Sequence, residues 1–197
     1  MTDRRVEKGK DTRDRIIEAG RNAFGRDGYE ATSIATILDE AAVTKGALYH
    51  HFASKEELFD VVLDRVTQEI AESVAQRART GGDPVTSLKA GCGAWLEMAL
   101  DPAVQRITLL DAAAVVGWAR MREIDNRHTL GGMRSNLERL VGPSGLDADV
   151  ELLAHMVLAA VNEAALFIVR AEDPQTALQV GREAVETLID RLTLATG

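Results

Sequence analysis

Apolar residues recur at helical spacing along almost the whole chain, whereas alternation of apolar and polar residues rarely extends beyond four positions. A period near 3.6 places apolar side chains on one face of a helix, while a period of two places them on one face of a strand. The pattern therefore predicts an all-α protein. With 46% hydrophobic residues and only 4 prolines among 197, we expect a folded core rather than a disordered chain.

Residues 1–53 are predicted to form a small domain of three helices. The first helix covers about residues 12–27 and ends at Gly28 in a left-handed cap. The second begins after an N-cap at Thr32 or Ser33, and the third runs from about residue 44 to residue 51. The third helix is barely two turns long, so its stability must come from packing against the other two.

Residues 54–197 are predicted to form a larger helical domain. Ser54 and Glu57 have the spacing of a capping box, which opens a long helix. A loop is expected at Gly142-Pro143-Ser144-Gly145. Further helices are expected at about 85–100, after Pro102, within 109–141 with breaks at Gly117 and Gly131-Gly132, at about 148–171, and at about 174–194.

Charge is distributed unevenly between these two parts. The net charge is −8, which by itself disfavours nucleic-acid binding, because duplex binding requires cations that neutralise phosphates. Residues 1–55, however, contain 10 Lys and Arg against 9 Asp and Glu, while the remaining residues contain 13 against 22. The acidity belongs to the second part, so a phosphate-facing surface in the first part is compatible with the composition.

Several functional classes are disfavoured by the sequence. It contains no nucleophile elbow, phosphate loop or metal-ligand cluster, so we expect neither an enzyme, nor a cofactor, nor a metal site. The single Cys92 is expected to be a buried apolar residue, and the chain begins with charged residues rather than an apolar leader, so we expect a cytoplasmic protein. The apolar segment 152–169 contains His155, Asn162 and Glu163, which favours a buried helix over a membrane span.

Residues 32–52, TSIATILDEAAVTKGALYHHF, predict two short helices joined by a tight turn, the helix-turn-helix arrangement. In this arrangement the second helix enters the major groove of DNA. A hydroxyl, an ammonium, a glycine, a small apolar side chain, a phenol and an imidazole follow one another along it, and all can contact phosphates or base edges. The expected DNA-binding residues are Thr32, Ser33, Thr44, Lys45, Gly46, Ala47, Tyr49, His50 and Lys55.

This segment resembles the DNA-binding segment of the TetR family of bacterial transcriptional regulators. The likeness is carried above all by Val43-Thr44-Lys45-Gly46-Ala47-Leu48-Tyr49-His50-His51-Phe52, followed by Ser54-Lys55-Glu56-Glu57-Leu58, within about residues 10–60. Leu38 stands where the family tends to have alanine, and Ala42 where it favours a glycine in the turn. The resemblance implies a homodimeric repressor with an N-terminal DNA-binding domain and a C-terminal domain that binds a small molecule and releases the operator.

The last helix also suggests a dimer independently of the resemblance. Its apolar residues have the alternating spacing of three and four that is typical of a coiled-coil seam. Two helices from each copy would form a four-helix bundle. The alternative is that both helices only close the core of a monomer. The expected seam comprises Leu178, Gly181, Val185, Leu188 and Leu192.

The second part contains side chains suited to an apolar or aromatic effector. Four of the five methionines and three of the eight aromatic residues lie after residue 59, and both types can line an apolar cavity. The alternatives are ordinary core packing for the large side chains and structural hydrogen bonds for the polar ones. The expected ligand-binding residues are Trp95, Met98, Trp118, Met121, His128, Met156, Asn162, Glu163 and Phe167.

Together these observations predict a ligand-responsive repressor that binds a near-palindromic double-stranded operator as a dimer. A helical protein-interaction module with an auxiliary DNA-binding head remains the alternative. In the first case, we expect ligand binding to shift the long helix that begins near Ser54, and thereby to change the distance between the two DNA-binding heads.

Overall fold

The computed structural model describes the backbone of residues 2–141 and 149–194, and in this part of the chain every regular element is helical. The all-α prediction is confirmed. The α-helices are α1 (Thr2–Asp27), α2 (Ile34–Ala41), α3 (Lys45–His51), α4 (Lys55–Ala78), α5 (Pro84–Met98), α6 (Pro102–Val104), α7 (Ala112–Val115), α8 (Gly117–His128), α9 (Leu130–Val141), α10 (Val150–Val169) and α11 (Pro174–Leu194). A 3₁₀ turn, Arg79–Gly81, follows α4, and a π-helix, Gln105–Asp111, lies between α6 and α7.

The contacts within the chain group its residues into two compact units. The first unit comprises Met1–Val66 and Pro102–Met121, and the second comprises Thr67–Asp101 and Arg122–Gly197. The division falls within α4. The predicted boundary at residue 53 stays a prediction, but the segment 102–121 groups with the N-terminal helices, which the sequence pattern does not indicate.

The core of the first unit is formed by α1 to α4. Phe24, Phe59 and the half-buried Tyr29 form an aromatic cluster, with ring centroids 5.2–5.8 Å apart. Gly20 of α1 lets the side chains of Leu58 and Val62 approach its backbone. Aromatic rings at these separations pack favourably edge to face, so this cluster fixes α1 against α4.

The segment 102–121 packs on the same unit at several points. Gly25 of α1 lies so close to Ala103 that a Cβ built on the glycine would be 2.6 Å from the alanine Cβ. Arg120 of α8 forms a two-pronged ion pair with Asp60 of α4, at 2.7 and 2.9 Å. Bidentate pairs of this kind fix geometry as well as charge, so α8 begins in a defined position relative to α4.

The second unit is built around α5, α9, α10 and α11, with α5 contacting α9, α10 and α11. One face of α10 supplies much of its core, namely Ala154, Val157, Leu158, Val161, Ala165 and Ile168. Arg182 of α11 is hydrogen-bonded to Glu97 of α5, and Lys89 of α5 to Asp190 of α11 at 2.6 Å. Polar pairs therefore link the two helices beside the apolar core.

Most predicted elements are present, with shifted ends. The first helix begins at Thr2 rather than near residue 12, and the break expected at Gly131-Gly132 lies instead between α8 and α9, at Thr129. Gly28 and Gly117 have positive φ angles, 83° and 76°. Glycine adopts this conformation readily, which suits the end of α1 at Gly28 and the interruption between α7 and α8 at Gly117. The expected loop at 142–145 lies outside the described residues.

Among the described helices, α10 is long and apolar enough to cross a membrane by length and composition, with a mean hydropathy of 2.0. Only 33% of its most apolar window is buried, so the prediction of a buried helix is correct for one face and wrong for the other. Leu152, Met156 and Phe167 are each more than half exposed. Such a surface on a helix is unusual unless something covers it.

Candidate nucleic-acid interface

Helices α2 and α3 form the helix-turn-helix, and each begins at a side-chain cap. The Ser33 hydroxyl accepts a hydrogen bond from the backbone N–H of Thr36, and the Thr44 hydroxyl accepts one from that of Ala47. Ser33 and Thr44 are exposed. The Ser33 hydroxyl also lies 2.9 Å from Oγ1 of Thr36, where either oxygen can donate, whereas the Thr44 hydroxyl keeps its proton for an outside acceptor. Both hydroxyls are therefore held in place by the fold, and that of Thr44 is free to donate to a phosphate.

The turn between α2 and α3 has the left-handed conformation that usually requires glycine. Ala42 has φ 50° and ψ 49°, and among the described residues it alone, apart from glycine, has positive φ. The Arg15 guanidinium donates hydrogen bonds to the carbonyl oxygens of Ala41 and Ala42, the latter at 3.1 Å. The substitution of the family's glycine thus leaves the turn intact, and a cation from α1 satisfies its carbonyl groups.

The outer face of α3 presents a cation, a phenol and an imidazole. Lys45 and His50 are exposed, and Tyr49 is 44% exposed. The Lys45 ammonium lies 5.9 Å from the centre of the Tyr49 ring, a cation–π distance that aligns the two side chains on one side of the helix. On the inner side Leu48 and Phe52 are almost completely buried.

Gly46 occupies open space on this face. A Cβ added there would meet no atom within 4 Å, so nothing in the described part of the chain requires a glycine at this position. Glycine inside a helix costs roughly 0.5–1 kcal/mol relative to alanine. Packing within the described part of the chain therefore does not account for the glycine at this position.

The prediction that Thr32 contacts DNA is wrong for its side chain. Thr32 is 2% exposed, and its hydroxyl is placed to donate to the backbone carbonyls of Ala23, at 3.1 Å, and Gly28, at 2.7 Å. It closes the loop between α1 and α2 from inside. Ser33 alone of the two candidate caps faces outward.

The prediction that Lys55 contacts DNA stays a prediction, and the structure gives this side chain partners within the chain. Its ammonium donates to the carbonyl oxygens of Tyr29, at 2.8 Å, and Thr32, at 3.0 Å, and lies 4.1 Å from the centre of the Tyr29 ring. These contacts hold the side chain against the loop before α2, because two of its three N–H donors are already used. Its main role in this structure is to fix that loop, and only the remaining donor is open to a phosphate.

Two arginines beside the helix-turn-helix were not predicted from the sequence. Besides Arg15 at the turn, Arg13 of α1 lies 5.3 Å from the centre of the Phe52 ring. Burial lowers the pKa of the neighbouring His51, and the proximity of His50 and Arg13 lowers it further. His51 is thus neutral near pH 7, so it is not a source of positive charge on this face. No local signal in α1 marks these arginines as partners of residues some 30 positions away.

Comparison with known proteins agrees with this geometry over both parts of the chain. Residues 16–62 match the model described as bacterial regulatory proteins, tetR family, and residues 85–192 match the tetracyclin repressor-like C-terminal domain. The second match alone covers more than half of the chain. The chain belongs to the TetR family.

Individual members of the TetR family resemble the chain to different extents. A TetR-family transcriptional regulator from Pectobacterium atrosepticum has a solved structure that is 33% identical, covers 94% of this chain and 96% of that one, and gives a TM-score of 0.81. The regulator TtgR of Pseudomonas putida is 38% identical over 113 residues, 54% of this chain and 52% of TtgR. The Tn10 TetC protein of Escherichia coli is 26% identical over 153 residues, 77% of each chain. The match thus spans only about half the length of TtgR.

The predicted ligand-binding residues of this TetR-family chain fall into separate groups. Trp95 and Asn162 of the second unit are brought together, with the indole N–H donating to the amide oxygen at 3.0 Å. Met98 and His128 are half-buried in the same unit. Trp118, which is 73% exposed, and Met121 belong to the first unit. Among the predicted ligand-binding residues, Trp95 and Asn162 therefore place a polar group next to a large aromatic ring.

The other three predicted ligand residues lie on the outer surface of α10. Met156, Glu163 and Phe167 are exposed, whereas a residue lining an interior cavity would point toward the core. They are therefore corrected as ligand contacts. His155, on the side of α10, is hydrogen-bonded through Nδ1 to Arg122 at 2.6 Å, so a protein partner satisfies this polar group.

Two of the five residues of the predicted dimer seam on α11 pack inside the chain instead. Gly181 and Val185 are buried, and a Cβ at Gly181 would be 2.9 Å from Cδ1 of Ile168 on α10. The glycine permits close approach within one chain. Leu178 and Leu192 are half-buried, and of the five seam residues only Leu188, at 39%, remains substantially exposed.

A different set of apolar residues on α10 and α11 is exposed. We call it the outer apolar face and define it by Leu152, Met156, Ala159, Phe167, Val180, Ala184 and Leu188. Its members recur every three or four residues on α10, apart from a gap at Glu163, and every four on α11. They share one side of each helix, which is the geometry of a helix-packing surface.

Proposed function

We propose that the protein is a ligand-responsive transcriptional repressor that acts in the cytoplasm, binds a near-palindromic operator as a homodimer, and leaves it when a small molecule binds. The observation that carries the proposal is the outer face of α3, where Lys45, Tyr49 and His50 are exposed while Leu48 and Phe52 anchor the helix. Regulators of this family bind operators, respond to small molecules and act as dimers.

We propose that the second copy of the chain binds to the outer apolar face. It exposes large apolar side chains on two adjacent helices, and pairing with an identical face would remove both from water. Each buried Å² of apolar surface contributes roughly 25 cal/mol. A two-fold pair would place α10 and α11 of each copy in a four-helix bundle.

For the effector, we propose an apolar or aromatic molecule bound in the second unit near Trp95 and Asn162. Their mutual hydrogen bond supports this, because an indole and an amide so paired offer a ring surface and a remaining polar group to a ligand. The ligand would act by shifting α4, which continues from the first unit into the second, and so alter the spacing of the two heads.

The DNA-binding proposal is tested by selecting duplexes from a random-sequence library with the wild-type protein and measuring affinity for the selected duplex. We expect Lys45→Ala and Tyr49→Ala each to weaken binding by about 1–3 kcal/mol, because each removes a phosphate-directed group without touching the core. Circular dichroism should show the same helix content as the wild type.

Gly46→Ala provides a sharper test because stability and binding should change in opposite directions. The substitution should stabilise α3 by roughly 0.5–1 kcal/mol, since the site is open, yet reduce affinity, since the added methyl group meets the duplex. Gly132→Ala is the matched control: it also lies in open space within a helix, α9, and should raise stability alone.

If no duplex is enriched, or if all three α3 variants bind the selected duplex as tightly as the wild type, the repressor proposal fails. The protein-interaction alternative would then be favoured.

A further inference from the structure

The loop between α1 and α2 is held from two sides at one residue. The backbone N–H of Tyr29 donates to Oδ2 of Asp111 at 2.8 Å, and its carbonyl oxygen accepts from the Lys55 ammonium at 2.8 Å. All three residues belong to the first unit. Four residues after Tyr29, the loop ends at Ser33, the exposed cap of α2.

Asp111 is the last residue of the π-helix, and its surroundings fix the carboxylate closely. A Cβ built on Gly28 would lie 3.3 Å from Oδ2 of Asp111 and 3.2 Å from Cδ of Arg106. Gly28 has φ 83°, so both its backbone conformation and the space beside it exclude a side chain. Side chains of the π-helix are therefore in direct contact with the backbone of the loop.

The π-helix Gln105–Asp111 differs in hydrogen-bond register from the α-helices on either side of it. Its i to i+5 hydrogen-bond pattern is rare and is found mostly at functional sites, and conversion to α-helical pairing changes the register of every residue that follows. Successive residues of an α-helix are about 100° apart, so a one-residue shift would turn the Asp111 carboxylate away from Tyr29. In the observed π-helical register, the carboxylate accepts the hydrogen bond from Tyr29.

We propose that Asp111 is a positioning residue for the DNA-binding site. Its carboxylate holds the Gly28–Thr32 loop and thereby the N-terminal end of α2. The π-helix Gln105–Asp111 places this carboxylate against the loop or withdraws it. This inference rests on the proposed repressor function and concerns its regulation. The segment that carries Asp111 is joined at both ends to the second unit, through residues 101–102 and 121–122, so a change there reaches the π-helix along the chain.

The test compares Asp111→Ala and Asp111→Asn on the duplex selected by the wild-type protein. We expect Asp111→Ala to weaken binding about tenfold, a typical coupling between sites, whereas Asp111→Asn, which keeps an oxygen acceptor for Tyr29, should bind nearly as the wild type does. Removal of a carboxylate by itself strengthens DNA binding through general electrostatics, so a weaker complex cannot be a charge effect. Glu30→Gln, on the same loop, is the charge control and should bind as tightly or more tightly.

A second readout follows from the reciprocity of coupled sites. If the loop and the π-helix are coupled, adding the duplex to the wild-type protein should slow amide hydrogen exchange in residues 105–111, and this protection should be lost in Asp111→Ala. The measurement on the wild type needs no substitution and therefore still tests the proposal if Asp111→Ala does not fold.

The inference is overturned if the duplex leaves exchange in residues 105–111 unchanged, or if Asp111→Ala binds as tightly as the wild type. Failure of the repressor function itself looks different: the wild-type protein then selects no duplex, and both proposals fall together.

Discussion

Ala42 shows how a single residue can be maintained in an unfavourable backbone conformation. Left-handed backbone costs an L-residue about 1–2 kcal/mol, because its Cβ crowds the following carbonyl oxygen. The Arg15 guanidinium offsets part of this cost by binding the carbonyl oxygens of Ala41 and Ala42. The turn conformation is thus dictated by α2, α3 and Arg15 together, and the alanine accommodates it.

We expect Ala42→Gly to stabilise the protein by roughly 0.5–1 kcal/mol, because relief of the left-handed strain exceeds the entropy that glycine adds to the unfolded chain. Thermal denaturation should show a midpoint higher by about 1–3 °C. Ala41→Gly is the matched control: this residue is buried in α2, so its midpoint should fall. Equal midpoints for Ala42→Gly and the wild type would show that the turn is unstrained.

Thr32 and Lys55 mark the limit of sequence-based prediction at the residue level. Both residue types suit a phosphate, and both lie next to helix starts, so the sequence favours DNA contacts for each. Their actual partners are main-chain carbonyls of residues 23, 28, 29 and 32, and three of these four carbonyls belong to a loop with no regular structure. Carbonyl directions in such a loop depend on its folded path, which no residue pattern encodes.

At the level of elements, α10 and α11 show why helix existence is easier to predict than helix orientation. Their bounds agree with the sequence prediction within about two residues, because caps at Asp149 and Asp173-Pro174 mark their starts. α10 is apolar nearly all round, so periodicity cannot distinguish the side that meets α11 from the side that faces out. In the structure, Ile168 of α10 packs against Gly181 of α11, and this contact defines the side of α10 that meets α11.

The two sides of this helix pair should respond differently to substitution. We expect Gly181→Val to destabilise folding by about 1–3 kcal/mol, because its Cβ alone already crowds Ile168. Met156→Glu, on the outer apolar face, should instead halve the molecular mass measured by light scattering while helix content is retained. A Met156→Glu protein of unchanged mass would show that this face is not where two copies meet.

The π-helix and the packing of residues 102–121 on the first unit were not predictable either. Their sequence is apolar with helical spacing, which is compatible with an ordinary α-helix. The wider helical turn is apparent only from the backbone hydrogen bonds. By contrast, the helix-turn-helix was predictable because caps, turn and buried positions all lie within 21 consecutive residues.

For the whole molecule, the proposed dimer would compensate for weak electrostatic attraction between one head and DNA. Residues 1–55 carry a near balance of charge, and the rest of the chain is acidic, so a single head has little general affinity for a duplex. Two heads joined rigidly through a dimer would add their contacts only when both half-sites lie on the same side of the DNA.

Spacing between half-sites should therefore control affinity. Inserting about five base pairs, half a helical turn, between the half-sites of the selected duplex should reduce binding sharply, because the half-sites then lie on opposite sides of the DNA. Inserting about ten should return both half-sites to the same side of the DNA, but one helical turn farther apart. Affinity for the three duplexes can be compared by fluorescence anisotropy. Identical affinities would show that each head binds independently of the other.

The separation of roles between α3 and the outer apolar face has a genetic consequence under the proposed dimer. A chain altered at Tyr49 keeps Leu152, Met156 and Phe167, so it would still pair with a normal chain. The resulting dimer would have only one functional DNA-binding head. In a cell carrying both alleles, mixed pairs would outnumber the fully normal ones. Loss-of-function alleles in α3 should consequently be dominant over the normal allele, whereas alleles that prevent pairing should be recessive.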